Sequence, residues 1–259
     1  MSRISSVFQK GKRKALIAYI TIGYPDIKST LEVAELLADE GCDIIELGIP
    51  FSDPLADGVT IQKATHQALL NGVTTRKCLE TAARISSRVK VPLCFMGYLN
   101  PIINYGVEDF CADSAKAGVD GLIIPDLPPG EMADLDVQAQ RHGLDLVRFL
   151  APNSSAERIK EVAGIAHGFI YLVSVTGITG IREGLSGDLE AFVSRVRRAT
   201  GLPLCIGFGI SRAEQAAQAA GLADGVIIGS RIIQLMEENG SYHKLRDFIA
   251  EVRKALDGV

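Results

Sequence analysis

No apolar run in this sequence reaches the roughly 18 residues that a membrane-spanning helix requires. Its first residues, Met1-Ser2-Arg3-Ile4-Ser5-Ser6, lack the apolar stretch of a secretory signal. Cysteine is sparse: Cys42, Cys78, Cys94, Cys111 and Cys205 are scattered and form no Cys-x-x-Cys pair. An odd, scattered set in apolar context reads as small buried thiols kept reduced, which points to a cytoplasmic protein and away from a disulfide framework. The histidines His66, His142, His167 and His243 show no ligand spacing, so no metal site is expected. Positive charge is not in excess either. A formal net charge of −4 argues against general nucleic-acid binding, whose affinity comes mostly from neutralising phosphates. The one dense basic run, Lys10-Gly11-Lys12-Arg13-Lys14, reads as a solvated stretch ahead of the first strand, with an anion patch or a nuclear signal as alternatives. Linkers, composition shifts and low-complexity tracts are missing, so residues 1–259 are expected to form one domain with ample material for a large core.

What is present is a regular alternation. Short apolar, β-branched runs at 15–21, 44–47, 92–96, 121–124, 145–150, 169–173, 203–207 and 225–228 are separated by longer helical stretches. Several runs are continuously apolar, as parallel strands covered on both faces should be. Between them, 29–40 carries Leu31, Ala34, Glu35 and Ala38 at helical spacing, and 188–200 carries Leu189, Phe192, Val193 and Val196. Glycines precede many strands, in Gly41-Cys42-Asp43, Gly118-Val119-Asp120, Gly143-Leu144-Asp145 and Gly221-Leu222-Ala223-Asp224, which predicts helix-terminating glycines and short loops. About eight such units without a break predict a single (β/α)8 TIM barrel, with a short extra helix at the N-terminus. A doubly wound sheet is disfavoured, because Thr21-Ile22-Gly23-Tyr24-Pro25-Asp26 stands where a Gly-x-Gly-x-x-Gly turn would be expected.

In a barrel the chemistry sits at the carboxyl ends of the strands. Glu46 is a carboxylate inside an otherwise apolar strand. Buried unpaired it costs several kcal/mol or takes up a proton, so it either bonds to a neighbouring strand or carries acid–base chemistry. Asp57 follows in a loop stiffened by Pro50 and Pro54 and opened by Gly58. Alone it is an ordinary turn aspartate; at the mouth of the same strand it is a candidate second carboxylate. Asp53 looks like a turn former. Glycines then end the last three strands: Gly177, Gly180 and Gly184 after the sixth, Gly207 and Gly209 after the seventh, and Gly229 before Ser230 after the eighth. Backbone N–H groups and a helix starting at Ser230 would suit a phosphate there, with ordinary turns as the alternative. The loop 175–187 is long enough for a lid. Tyr19, Phe95, Tyr98, Ile123, Phe149 and Tyr171 are either core or the lining of a flat pocket.

The string Glu46-Leu47-Gly48-Ile49-Pro50-Phe51-Ser52-Asp53-Pro54-Leu55-Ala56-Asp57-Gly58 resembles the tryptophan synthase alpha chain family. Supporting blocks are Asn100-Pro101, Pro125-Asp126-Leu127-Pro128, Thr176-Gly177-Ile178-Thr179-Gly180 and Gly207-Phe208-Gly209-Ile210-Ser211, and the likeness spans essentially the whole chain. The resemblance implies retro-aldol cleavage of indole-3-glycerol phosphate to indole and glyceraldehyde 3-phosphate. It implies that Glu46 moves protons at indole C3 and the glycerol hydroxyl, and that Asp57 holds the indole N–H. It implies that Thr179 closes against the Asp57 loop, that Gly180, Gly209, Gly229 and Ser230 cradle phosphate, and that Tyr19, Tyr98, Ile123 and Tyr171 line the indole pocket. It also implies a pyridoxal-phosphate-dependent beta subunit as partner in an α2β2 assembly, docked on the 52–58 loop and the 98–105 region, with no cofactor in this chain. One position departs from the family string: Val59 stands where proline is usual after Ala-Asp-Gly, which would loosen the loop while keeping Asp57. Two other readings stand beside this one. Another barrel enzyme on a phosphorylated sugar or indole ester is the first, although a Schiff-base aldolase would want a lysine at a strand end and none of the eight ends has one. The second is a non-catalytic docking subunit, which has no reason to keep both Glu46 and Asp57.

Overall fold

β1 (Ala15–Thr21) is buried at all seven positions, as a continuously apolar strand covered on both faces must be. It pairs in parallel with β2 (Ile44–Gly48), and the order continues through β3 (Leu93–Met96), β4 (Gly121–Ile123), β5 (Asp145–Leu150), β6 (Ile170–Val173), β7 (Leu204–Gly207) and β8 (Gly225–Ile228). β8 pairs back onto β1, so the sheet is a closed barrel. The computed structural model describes residues 1–9, 13–173, 187–207, 209–238 and 241–259. α1 (Arg3–Val7) precedes β1, and α2 (Ile27–Asp39) joins β1 to β2. α3 (Val59–Leu70) and α4 (Thr75–Ser86) lead to β3, and α5 (Leu99–Tyr105) and α6 (Val107–Lys116) to β4. α7 (Ala133–Arg141), α8 (Ala156–Ile165), α9 (Gly187–Arg197) and α10 (Ala213–Leu222) precede β5, β6, β7 and β8, and α11 (Ser230–Glu237) and α12 (His243–Asp257) complete the ring. This is the (β/α)8 TIM barrel. Within it, β3, β6 and β7 each begin one residue later than the apolar runs suggested, β4 ends one residue earlier, and β2 runs one residue further.

Period-two alternation divides the core into two layers. Ile17, Ile44, Cys94, Val147, Phe169, Cys205 and Ile227 fill the barrel, while Leu16, Ile45, Leu47, Phe95 and Leu172 pack outward with the helices. All five cysteines are buried and free, as their apolar settings predicted. Phe95 takes the core alternative: it shares the outward face with Leu47 and packs on Phe110 of α6, with ring centroids 6.0 Å apart.

α1 closes the amino end of the barrel. Ile4 is fully buried in the inner layer, and Gly121 and Gly168 leave room for it; a Cβ on Gly121 would lie 2.7 Å from Ile4 Cδ1. Ser2 caps α1 through Ser5 N–H at 3.1 Å and also donates to Asp145. The turn glycines Gly41, Gly118 and Gly143 are left-handed, with φ of +90°, +81° and +72°. Gly221 is not one of them. It lies inside α10, which runs to Leu222 and is closed by extended Ala223, whose N–H bonds Ala219 O at 3.1 Å. Three aspartates just ahead of strands tie neighbouring strands together: Asp43 accepts from Leu16 N–H at 2.9 Å, Asp120 from Leu93 N–H at 2.9 Å, and Asp224 from Leu204 N–H at 2.8 Å.

Candidate active site

β2 carries Glu46 into the barrel at the level of Tyr19 on β1 and Cys94 on β3. Its side chain is fully buried, and neither carboxylate oxygen has a hydrogen-bond partner among the described residues. The alternative of a glutamate bonded to a neighbouring strand is therefore not what the fold builds. Burial alone pushes the carboxyl up from 4.5 to about 8, so the group is protonated at neutral pH. Tyr19, Ile123 and Tyr171 line the same interior, all buried. Phe149 lies against Tyr171 with ring centroids 4.7 Å apart. A cavity of about 310 Å³ opens beside Phe149 and Val173, walled by Pro125, Leu127 and Leu150.

Two strand-end glycines have a steric purpose that composition did not reveal. A Cβ on Gly48 would sit 2.2 Å from the Tyr19 hydroxyl, and one on Gly207 would sit 2.4 Å from the Tyr171 hydroxyl. Only glycine leaves both phenols space to stand upright between strands. The signal was there as glycine at a strand end, but which side chain it admits depends on the neighbouring strand.

Asp57 lies in the loop that follows β2. The loop is a chain of local bonds: Leu55 N–H to Asp53 O at 2.9 Å, Asp57 N–H to Pro54 O at 3.1 Å, and Gln62 Nε2 to Asp57 O at 2.9 Å. Asp53 accepts from Ser52 Oγ at 2.5 Å, in keeping with a turn former. Tyr98 reaches in from the start of α5, stacks on Phe51 at 5.4 Å, and accepts the Ala56 N–H at 3.0 Å. Partial burial raises the Asp57 carboxyl from 3.8 to about 6, with the Tyr98 hydroxyl opposing the rise. Two carboxyls thus lie at one barrel mouth in opposite protonation states near pH 7, an arrangement suited to acid–base work by one and charge stabilisation by the other.

The remaining expected residues gather at the carboxyl ends of β7 and β8. Gly209 is left-handed at φ +76°. Ser230 opens α11, and Gly229 is its N-cap with no side chain closing the first amides. Thr179 and Gly180, with the rest of the lid at 175–186 and Phe208, lie outside the described residues, as do Lys10, Gly11 and Lys12 of the basic run.

The profile of the family described as tryptophan synthase alpha chain matches residues 6–257. This chain belongs to the tryptophan synthase alpha chain family. A relative of that name from Dehalococcoides mccartyi is 57% identical over 257 residues, covering 99% of this chain and 100% of the relative. Another, from Geobacter sulfurreducens, is 46% identical over 262 residues with 99% of each chain covered. The solved tryptophan synthase subunit alpha of Legionella pneumophila superimposes with a TM-score of 0.91 at 34% identity, covering 100% of both chains. Tryptophan synthase of M. tuberculosis in its aminoacrylate-bound form gives 0.90 at 36% identity, over 99% of this chain and 100% of that one. Against the family string, Val59 turns out to be the first residue of α3 and is 83% exposed. Gly58 before it is extended, with φ −75° and ψ 163°, a backbone that a following proline accepts. The departure therefore falls on the start of a helix, while Asp57 keeps its bonds to Pro54 and Gln62.

Proposed function

We propose that this chain is the lyase subunit that cleaves indole-3-glycerol phosphate to indole and glyceraldehyde 3-phosphate in tryptophan biosynthesis. Family membership supplies the reaction, and one observation carries its assignment to residues: a buried, unpartnered Glu46 stands beside a loop aspartate of lower pKa. Protonated Glu46 delivers its proton to indole C3, turning the ring into an indolenine. The resulting carboxylate takes the proton of the glycerol hydroxyl as the carbon–carbon bond breaks, so Glu46 ends as it began. Asp57, ionised above about pH 6, accepts the indole N–H and stabilises the positive charge of the indolenine. Tyr19, Tyr98, Ile123 and Tyr171 form the walls for the indole ring. Gly180, Gly209, Gly229 and Ser230 hold the phosphate, with the open first amides of α11 directed at it, and Thr179 closes over the Asp57 loop.

The partner is a tryptophan synthase beta subunit in an α2β2 assembly, which receives the indole and carries pyridoxal phosphate; this chain needs no cofactor of its own and works in the cytoplasm. Among the described residues no helix is long and apolar enough to cross a membrane. The partner docks on the 52–58 loop and α5, where Leu55 and Ile103 are exposed. The test is indole release from indole-3-glycerol phosphate by the isolated chain, with and without a beta subunit. Weak release alone that rises sharply with the partner is expected, on a bell-shaped profile of kcat/KM with limbs near pH 6 and pH 8. No indole in either case would overturn the proposal.

A further inference from the structure

The block Pro125-Asp126-Leu127-Pro128 has no part in the scheme above, yet it reaches the site indirectly. Both oxygens of Asp126 accept from Leu99 N–H, at 2.9 and 3.2 Å. Leu99 is the first residue of α5, and Tyr98 is the N-cap, extended and with no side-chain cap of its own. Asp126 supplies from the end of β4 the acceptor that this helix start lacks, and so fixes the backbone from which Tyr98 projects. The Tyr98 hydroxyl is then used in both directions: it accepts the Ala56 N–H at 3.0 Å and donates to the Asp57 carboxyl. A phenylalanine would fill the same space against Phe51 and do neither.

We propose that Tyr98, clamped by Asp126, is a positioning residue that seats the Asp57 loop and keeps Asp57 ionised for the reaction. The inference rests on the reading of Asp57 as the second carboxylate of the site. The titratable groups facing Asp57 are Tyr19 from β1, Tyr171 from β6 and Tyr98 itself, with Asp53 on its own loop bonded to Ser52, and Glu46 from β2 faces the same Tyr19 and Tyr171. Burial and the neighbouring carboxylates raise all three phenols, so they stay neutral, and Glu46 is neutral below about pH 8. Tyr98 is the group among these that offers Asp57 a hydrogen bond and opposes its burial.

The experiment follows the ionisation of Asp57 in the full chain by carboxyl-carbon NMR titration, its signal assigned by loss in Asp57→Asn. In Tyr98→Phe the midpoint is expected to rise from about 6 by about one pH unit, the usual size of one hydrogen bond to a charged group. The acid limb of kcat/KM should move with it, and the alkaline limb set by Glu46 should stay. Asp126→Asn keeps an acceptor for Leu99 and removes a charge, so charge alone would lower the midpoint. Asp126→Ala removes both, and its midpoint should rise toward that of Tyr98→Phe. An Asp57 midpoint unmoved in Tyr98→Phe overturns the proposal whether or not the wild-type chain releases indole. A midpoint in Asp126→Ala no higher than in Asp126→Asn overturns the clamp by Asp126. A wild-type chain that releases no indole, with the NMR shifts as expected, overturns the proposed function and leaves the clamp standing.

Discussion

Glu46 is held neutral by its surroundings, and that has a consequence for stability as well as catalysis. The unfolded chain gives up this proton near pH 4.5, whereas the folded chain keeps it to about 8. Its contribution to stability is therefore complete below about pH 4.5 and is lost as the pH rises through 8. Glu46→Gln removes both the proton shuttle and this loss. Cleavage of indole-3-glycerol phosphate should be nearly abolished, and denaturation midpoints measured from pH 5 to pH 8 should fall less in the variant than in the wild-type chain. Parallel pH curves would contradict the burial of a bare carboxyl, and unimpaired turnover would contradict its role. Asp57 shifts in the same direction but less far, because it is less deeply buried and Tyr98 favours its charged form.

The strand starts at the amino end of the barrel share a device. Asp43, Asp120 and Asp224 each stand just ahead of a strand, satisfy an amide at the start of the preceding, neighbouring strand, and then meet an arginine: Arg253 at 3.0 Å, Arg3 at 2.9 Å and Arg197 at 2.6 Å. Each aspartate thereby joins the backbone of one βα unit to the next and draws a cation to the same end. Asp120→Ala leaves Leu93 N–H without its acceptor and Arg3 with the Lys90 carbonyl but no carboxylate. A cost of about 2 kcal/mol is expected, read as a lower urea midpoint with an unchanged slope. An unchanged midpoint would mean that water replaces the carboxylate without loss. The Gly-x-Asp pattern was visible as turn chemistry, since left-handed glycine is a local demand. The amides it would satisfy were not, because they belong to strands 27 or 20 residues away.

For the barrel as a whole, the amino end is closed by Ile4 and the carboxyl end is left open for chemistry. Ile4→Ala would leave a hole among Gly121, Gly168 and Phe169, costing about 3 kcal/mol and several degrees in Tm. An unaltered Tm would show that α1 does not close the barrel in solution. The eight strands could be read along the chain because burial on both faces writes itself as short apolar runs, and helix ends as glycines, within a few neighbouring residues. Gly221 went astray, and Phe95 could be placed only as core or lining, for the same reason: a glycine or a run seen locally does not say whether the helix has already ended or which face the run takes. The isolated carboxylate in an apolar run marked Glu46 in the sequence alone, and the resemblance supplied its chemistry. That Glu46 finds no partner, that Gly48 and Gly207 admit two phenols, and that Tyr98 reaches an amide 42 positions away follow from closing the sheet. Closure brings residues together that are distant along the chain, and no pattern of neighbours encodes the register at which they meet.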